Sequence, residues 1–137
     1  MSNLVRFGVS LEDDLLSKFD RHIKRHKYTN RSEAIRDLIR EELIKEEWTE
    51  NKEVTGAITI VYDHHARELV NKVMDIQHDY HDSILSTQHI LDHHNCFEII
   101  VTKGKATEIE KLFMKLKSLK SVKHAGFMMA TKGKDLP

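Results

Sequence analysis

Between residues 78 and 96 the chain places His78, His81, His89, His93 and His94 beside its single cysteine, Cys96. Imidazole and thiolate are ligands for borderline and softer divalent metals; four of them in a square plane point to Ni(II) or Cu(II), and a tetrahedral set points to zinc. Sequence supplies the ligand types and leaves the geometry open. His89 falls on a predicted strand and Cys96 opens the next, so a hairpin turn can bring them together. His78, at the end of a predicted helix, can add a further ligand from the same chain or across a subunit interface. The plain alternative is that turn histidines are solvated and Cys96 is a small buried hydrophobe. This density beside a lone cysteine favours metal binding. His22 and His26, four apart on an earlier helix, also have a metal-capable spacing but are assigned to its solvated face. His64, His65 and His124 stand apart from the cluster and read as structural, with a secondary metal site left open.

A second candidate site lies near the start. In Arg6-Phe7-Gly8-Val9-Ser10-Leu11, side chains alternate with period two, so Phe7, Val9 and Leu11 share one face and Arg6, Gly8 and Ser10 the other. Two such strands paired antiparallel across a two-fold axis form a ribbon able to enter a major groove. There Arg6 can donate two hydrogen bonds to guanine, Ser10 can read several base edges, and Gly8 offers no side chain. Residues 11–26 read as a helix with Leu15, Leu16, Phe19 and Ile23 at helical spacing and Glu12, Asp13 and Asp14 where the dipole favours negative charge. A second helix begins at Asn30, in an Asn30-x-x-Glu33 sequence similar to a capping box, and carries Ala34, Ile35, Leu38, Ile39, Leu43 and Ile44 toward Trp48. The Asn30-Arg31-Ser32 turn presents polar groups at a helix N-terminus, which suits phosphate anchoring. Strand, helix and capped helix within fifty residues make too small a core to fold alone, so the unit requires a second copy. This is the pattern of a ribbon-helix-helix DNA-binding domain.

Composition narrows the field. Lys plus Arg equals Asp plus Glu at 22 each over 137 residues, so any DNA contact rests on a local patch. One cysteine excludes an intrachain disulfide, and the absence of a signal-peptide pattern or a spanning apolar run leads us to expect a cytoplasmic protein without membrane association. There is no His-Glu-x-x-His, nucleophile elbow or glycine-rich phosphate loop, which argues for a binding protein over an enzyme.

After a polar linker at residues 49–53 the pattern changes. Residues 54–62 read as a strand, 66–78 as a helix, 83–92 and 96–102 as strands, 107–119 as a helix and 122–129 as a last strand. The order is βαββαβ, a ferredoxin-like arrangement. The expected fold class is thus α+β: a ribbon-helix-helix domain at 1–48 and a ferredoxin-like domain at 54–137.

Asn30-Arg31-Ser32-Glu33-Ala34-Ile35-Arg36-Asp37, Ile60-Val61-Tyr62, Gln77-His78, His94-Asn95-Cys96 with Glu98 behind it, and Lys103-Gly104 together resemble the nickel-responsive ribbon-helix-helix transcriptional regulators. The resemblance covers nearly the whole chain. It implies that the C-terminal domain is ACT-like, that the protein is a homotetramer in which two DNA-binding dimers flank four regulatory domains, and that Ni2+ binding between regulatory domains promotes repression of nickel-uptake genes at operator DNA. By the same resemblance His78 matches a ligand from a neighbouring subunit, His89 a strand ligand and Cys96 the thiolate. Glu33 and Asp37 match positions of an additional cation site between the two domains. The chain departs from the family in one respect that matters. The family carries His-x-His on the strand, because residues two apart point the same way; here the sequence is His89-Ile90-Leu91, and the stretch to Cys96 is one residue shorter. Either His93 or His94 swings in from the turn, or His89 takes the second position with Thr87 at the first, or three protein ligands and a water remain. Gly8 is a smaller departure, at a position where the family often has a hydroxyl. The alternative function keeps the DNA-binding unit and gives the C-terminal domain another metal or a small organic effector.

Overall fold

The computed structural model describes residues 3–137; Met1 and Ser2, the first residues of the expected N-terminal domain, lie outside the described residues. Helices α1 (Asp13–Arg25) and α2 (Arg31–Thr49) are followed by β1 (Glu53–Asp63), α3 (Arg67–Asp79), a single 3-10 turn, β2 (Ile84–Leu91), β3 (Asn95–Lys105), α4 (Ala106–Lys117) and β4 (Val122–Met129). The described chain divides into two compact units, one formed by residues 3–43 with 135–137 and the other by residues 44–134.

In the first unit, α1 starts with Asp13 and Asp14 in its first turn and ends with Lys24 and Arg25 in its last, the distribution that a helix dipole favours. Lys27 then takes a positive φ of 59° to turn the chain toward α2. Asn30 caps α2: its Oδ1 accepts the Glu33 N–H at 2.9 Å, while its carbonyl accepts the Ala34 N–H at 3.3 Å. The Glu33 side chain does not close the box and instead pairs with Arg36 one turn on. Residues 3–12 carry no regular element, and Phe7 and Val9, expected on a core face, are 71% and 58% exposed. A β-strand is defined by its ladder, and the expected ladder partner is a second copy of the chain.

The second unit is a four-stranded antiparallel sheet of order β2-β3-β1-β4 with α3 and α4 on one face, the split βαβ arrangement expected. Alternation is strict along β1, where Val54, Ile58, Ile60 and Tyr62 are buried, and along β3, where Cys96, Glu98, Ile100 and Thr102 are buried. These side chains meet Leu69 and Val73 of α3 and Ile109, Leu112 and Leu116 of α4. The end of α2 belongs to this core: Trp48 is buried, donates Nε1–H to the Ala130 carbonyl at 2.9 Å and meets Phe127 edge-on. Asn51, at φ 55°, accepts hydrogen bonds from the backbone N–H and hydroxyl of Thr107 and so caps the start of α4.

Candidate functional site

The register of β2 decides which of its residues reach the core face. Ile84 pairs with Thr102, but Ser86 pairs with Val101, so Leu85 is an extra residue in a β-bulge. The bulge inverts the phase of everything after it. Thr87, His89 and Leu91 consequently stand opposite Ile100, Glu98 and Cys96, on the helix-covered face; without the extra residue His89 would face the opposite side of the sheet. The strand closes through a tight turn in which Asp92 and Asn95 flank His93 and His94. The Asp92 carboxylate accepts the His94 and Asn95 N–H groups at 2.8 and 2.6 Å, and these two bonds hold its pKa below the usual carboxylate range.

His89, Cys96 and Glu98 form a compact group whose potential ligand atoms all lie within 4.8 Å of one another. His89 Nδ1 is 3.6 Å from Cys96 Sγ and 3.0 Å from Glu98 Oε1. Cys96 and Glu98 are buried, two residues apart on β3, whereas the His89 side chain is half exposed at the sheet edge. Behind them, the Tyr62 hydroxyl donates to Glu98 Oε1 at 2.9 Å and the Gln77 amide of α3 donates to Oε2. A buried carboxylate is tolerable only when so paired. Burial pushes the Cys96 thiol above its ordinary value, the nearby Glu98 charge adds to this, and the contact with Tyr62 opposes it. Burial, followed by the Glu98 charge, likewise pushes the Tyr62 phenol up. A soft sulfur, an imidazole and an acidic oxygen with a dry rear wall fit a borderline divalent cation, which would relieve the thiol of its proton.

The other expected ligands stand elsewhere. His78 is exposed at the end of α3, stacked on His81 with ring centroids 5.9 Å apart. His93 and His94 are exposed at the hairpin tip, where the His94 ring lies 6.0 Å from that of His65 and the His64 N–H donates to the His94 carbonyl. Glu98 was no more than a family marker in the sequence, yet it completes the close group. Its position two residues after Cys96 on a strand was the available signal, since that spacing puts both side chains on one face.

In the first unit Arg6, Gly8 and Ser10 are exposed, as are Asn30, Arg31 and Ser32. Arg31 is gripped by Asp20, with Nε and Nη2 each 3.0 Å from a carboxylate oxygen, which raises the guanidinium pKa and lowers that of Asp20. Asp37 accepts a hydrogen bond from the Tyr28 hydroxyl, and this bond holds the phenol above its usual range. One assignment needs correction. His22 is not on the solvated face of α1: it is half buried, because it shares the side of the helix that carries Phe19 and meets Tyr28.

Residues 55–130 match the family model described as the NikR C terminal nickel binding domain, and residues 5–46 match that of the ribbon-helix-helix proteins of the copG family. Among curated relatives, a putative nickel-responsive regulator of Syntrophus aciditrophicus is 61% identical over 97% of this chain and 98% of its own length. Relatives with the same description from Chlorobium limicola and Pyrococcus abyssi are 54% and 52% identical, over 97% and 98% of this chain and 100% and 99% of theirs. An uncharacterized protein of Thermotoga maritima, 18% identical, superposes with a TM-score of 0.52 over 56% of this chain and 96% of its own, a likeness of fold alone.

Proposed function

Because the chain belongs to the family of nickel-responsive ribbon-helix-helix regulators, we propose that it is a DNA-binding transcriptional regulator that responds to nickel and represses genes for metal uptake in the cytoplasm. The observation that carries the metal half of this reading is the His89, Cys96 and Glu98 group on the domain that matches the nickel-binding family model. His89 and Cys96 are ligands from one chain, Thr87 stands at the strand position where the family has a first histidine, and His78 is a ligand to a site on a neighbouring subunit. His93 and His94 are held in reserve at the hairpin tip, and water or Glu98 completes the set. Glu33 and Asp37 are the carboxylates for a secondary cation.

Assembly follows from surface chemistry. In the first unit Leu4, Val5, Phe7, Val9 and Leu11 border a groove reaching Phe19, Ile35 and Ile39, and a second copy's strand is the occupant that would dry these residues. In the second unit Ile90, Phe97, Val101 and Met128 leave apolar surface on the uncovered side of the sheet. A dimer of dimers buries both, and places two antiparallel ribbons with Arg6, Gly8 and Ser10 outward toward double-stranded DNA, Asn30, Arg31 and Ser32 anchoring phosphates.

The test is selection of bound sequences from random duplex DNA with and without one equivalent of nickel. The expected result is nickel-dependent enrichment of a two-fold-symmetric sequence, with Arg6→Ala weakening binding to it by about 1–3 kcal/mol and relaxing preference at one position. Equal enrichment with and without nickel would overturn the nickel response. Enrichment by zinc, cobalt or an amino acid in place of nickel would favour the alternative effector.

A further inference from the structure

We infer that the first unit carries a second transition-metal site, formed by His22 and His26 at the end of α1. The two residues are one helical turn apart on one face, and their ring centroids lie 4.3 Å apart with the planes tilted by 40°. The unusual atom is His22 Nε2, which is buried and has no hydrogen-bond partner among the described residues. A buried imidazole nitrogen without a partner is costly, and a bound cation is one of the few things that satisfies it. His26 is exposed, so the pair is open to solvent on one side.

The surroundings divide in sign. Lys24, Arg25 and Lys27 flank the site in sequence and oppose a cation. The negative end of the α1 dipole favours one, as do Asp37 and Glu41, whose negative field already acts on the Tyr28 ring 6.0 Å from His22 and 6.4 Å from His26. Metal–nitrogen bonds of about 2.0–2.1 Å require the rings to part only slightly from their present spacing. The occupant is a divalent cation with an affinity for imidazole, such as Zn2+, Ni2+ or Cu2+, with water filling the remaining positions. This site is separate from the His89, Cys96 and Glu98 group and does not depend on what occupies that group.

The test uses the full chain, with Zn2+ alone as the probe and proton–carbon correlation spectra of the histidine rings as the readout. His22 and His26 resonances are assigned by their loss in His22→Gln and His26→Gln. The expected result is that both shift together along one binding curve, and that His26→Gln, an exposed position that leaves the fold intact, weakens the response of His22 by about tenfold or more, as loss of a chelating partner does. Separate binding curves for the two rings, or an unchanged His22 response in His26→Gln, would overturn the proposal.

Discussion

Replacing Glu98 separates the role of a hydrogen-bond acceptor from that of a charge. The carboxylate is fully buried and holds the Tyr62 hydroxyl, the Gln77 amide and the His89 ring. Glu98→Ala leaves a gap and strands the Tyr62 and Gln77 donors in a dry site. Each orphaned donor costs about 1–3 kcal/mol, so the two together cost about 2–6 kcal/mol. Glu98→Gln preserves volume and one acceptor for Tyr62. Its new amide can donate to Gln77 once that side chain flips, or to His89 in the other tautomer, so the expected loss is about 1 kcal/mol. Urea unfolding of the metal-free protein at fixed chain concentration checks this, since a slope of about 1–3 kcal/mol per molar converts the difference between the variants into a midpoint gap of about 1 M. The same Gln variant removes one of the causes that hold the Cys96 thiol up, so the pH profile of thiol alkylation moves to lower pH. Equal destabilisation by Gln and Ala would refute the acceptor argument, and an unmoved alkylation profile would refute the electrostatic one.

Three further outcomes follow from the same geometry. Because burial raises the Cys96 pKa, nickel binding must expel a thiol proton throughout the neutral range; affinity measured by competition with a chelator should rise about tenfold per pH unit for that proton until the raised value is passed, and Cys96→Ser should flatten the slope. Asn30→Ala should cost about 1 kcal/mol in thermal or urea unfolding by removing the cap of α2, and Asn30→Asp should restore most of it. The Asp92 carboxylate has a depressed folded pKa, so its contribution is present above the ordinary carboxylate value and is lost as pH falls through the folded one; the protection of the His94 and Asn95 amides from exchange, relative to the unfolded chain, should persist through the ordinary carboxylate range and fall only below it, and Asp92→Ala should lack that protection at neutral pH.

The sequence by itself determined the elements and their order. The strand-like runs at residues 54–62 and 122–129, helical spacing through Leu69, Val73, Ile109, Leu112 and Leu116, and Asn30 ahead of α2 are local signals, and these elements formed where the signals placed them, whereas the alternating stretch at residues 6–11 carries no regular element in the single chain. The sequence also supplied His89 and Cys96 as neighbours across a hairpin. It could not supply their facing. A single extra residue at Leu85 inverts the phase of β2, and only the pairing of that strand with β3 reveals it. The partnership of Glu98 with His89 comes from that register, the burial of Cys96 comes from the alternation of β3, and the thiol and phenol shifts come chiefly from that burial. His22 is a different case: Phe19 lies one turn before it on the same helix, so its helical spacing was a local signal against the solvated face, and its contact with Tyr28 came with the turn that follows. Periodicity is a property of one segment, whereas register and enclosure belong to pairs of segments distant in sequence, so they are fixed only when the chain has folded.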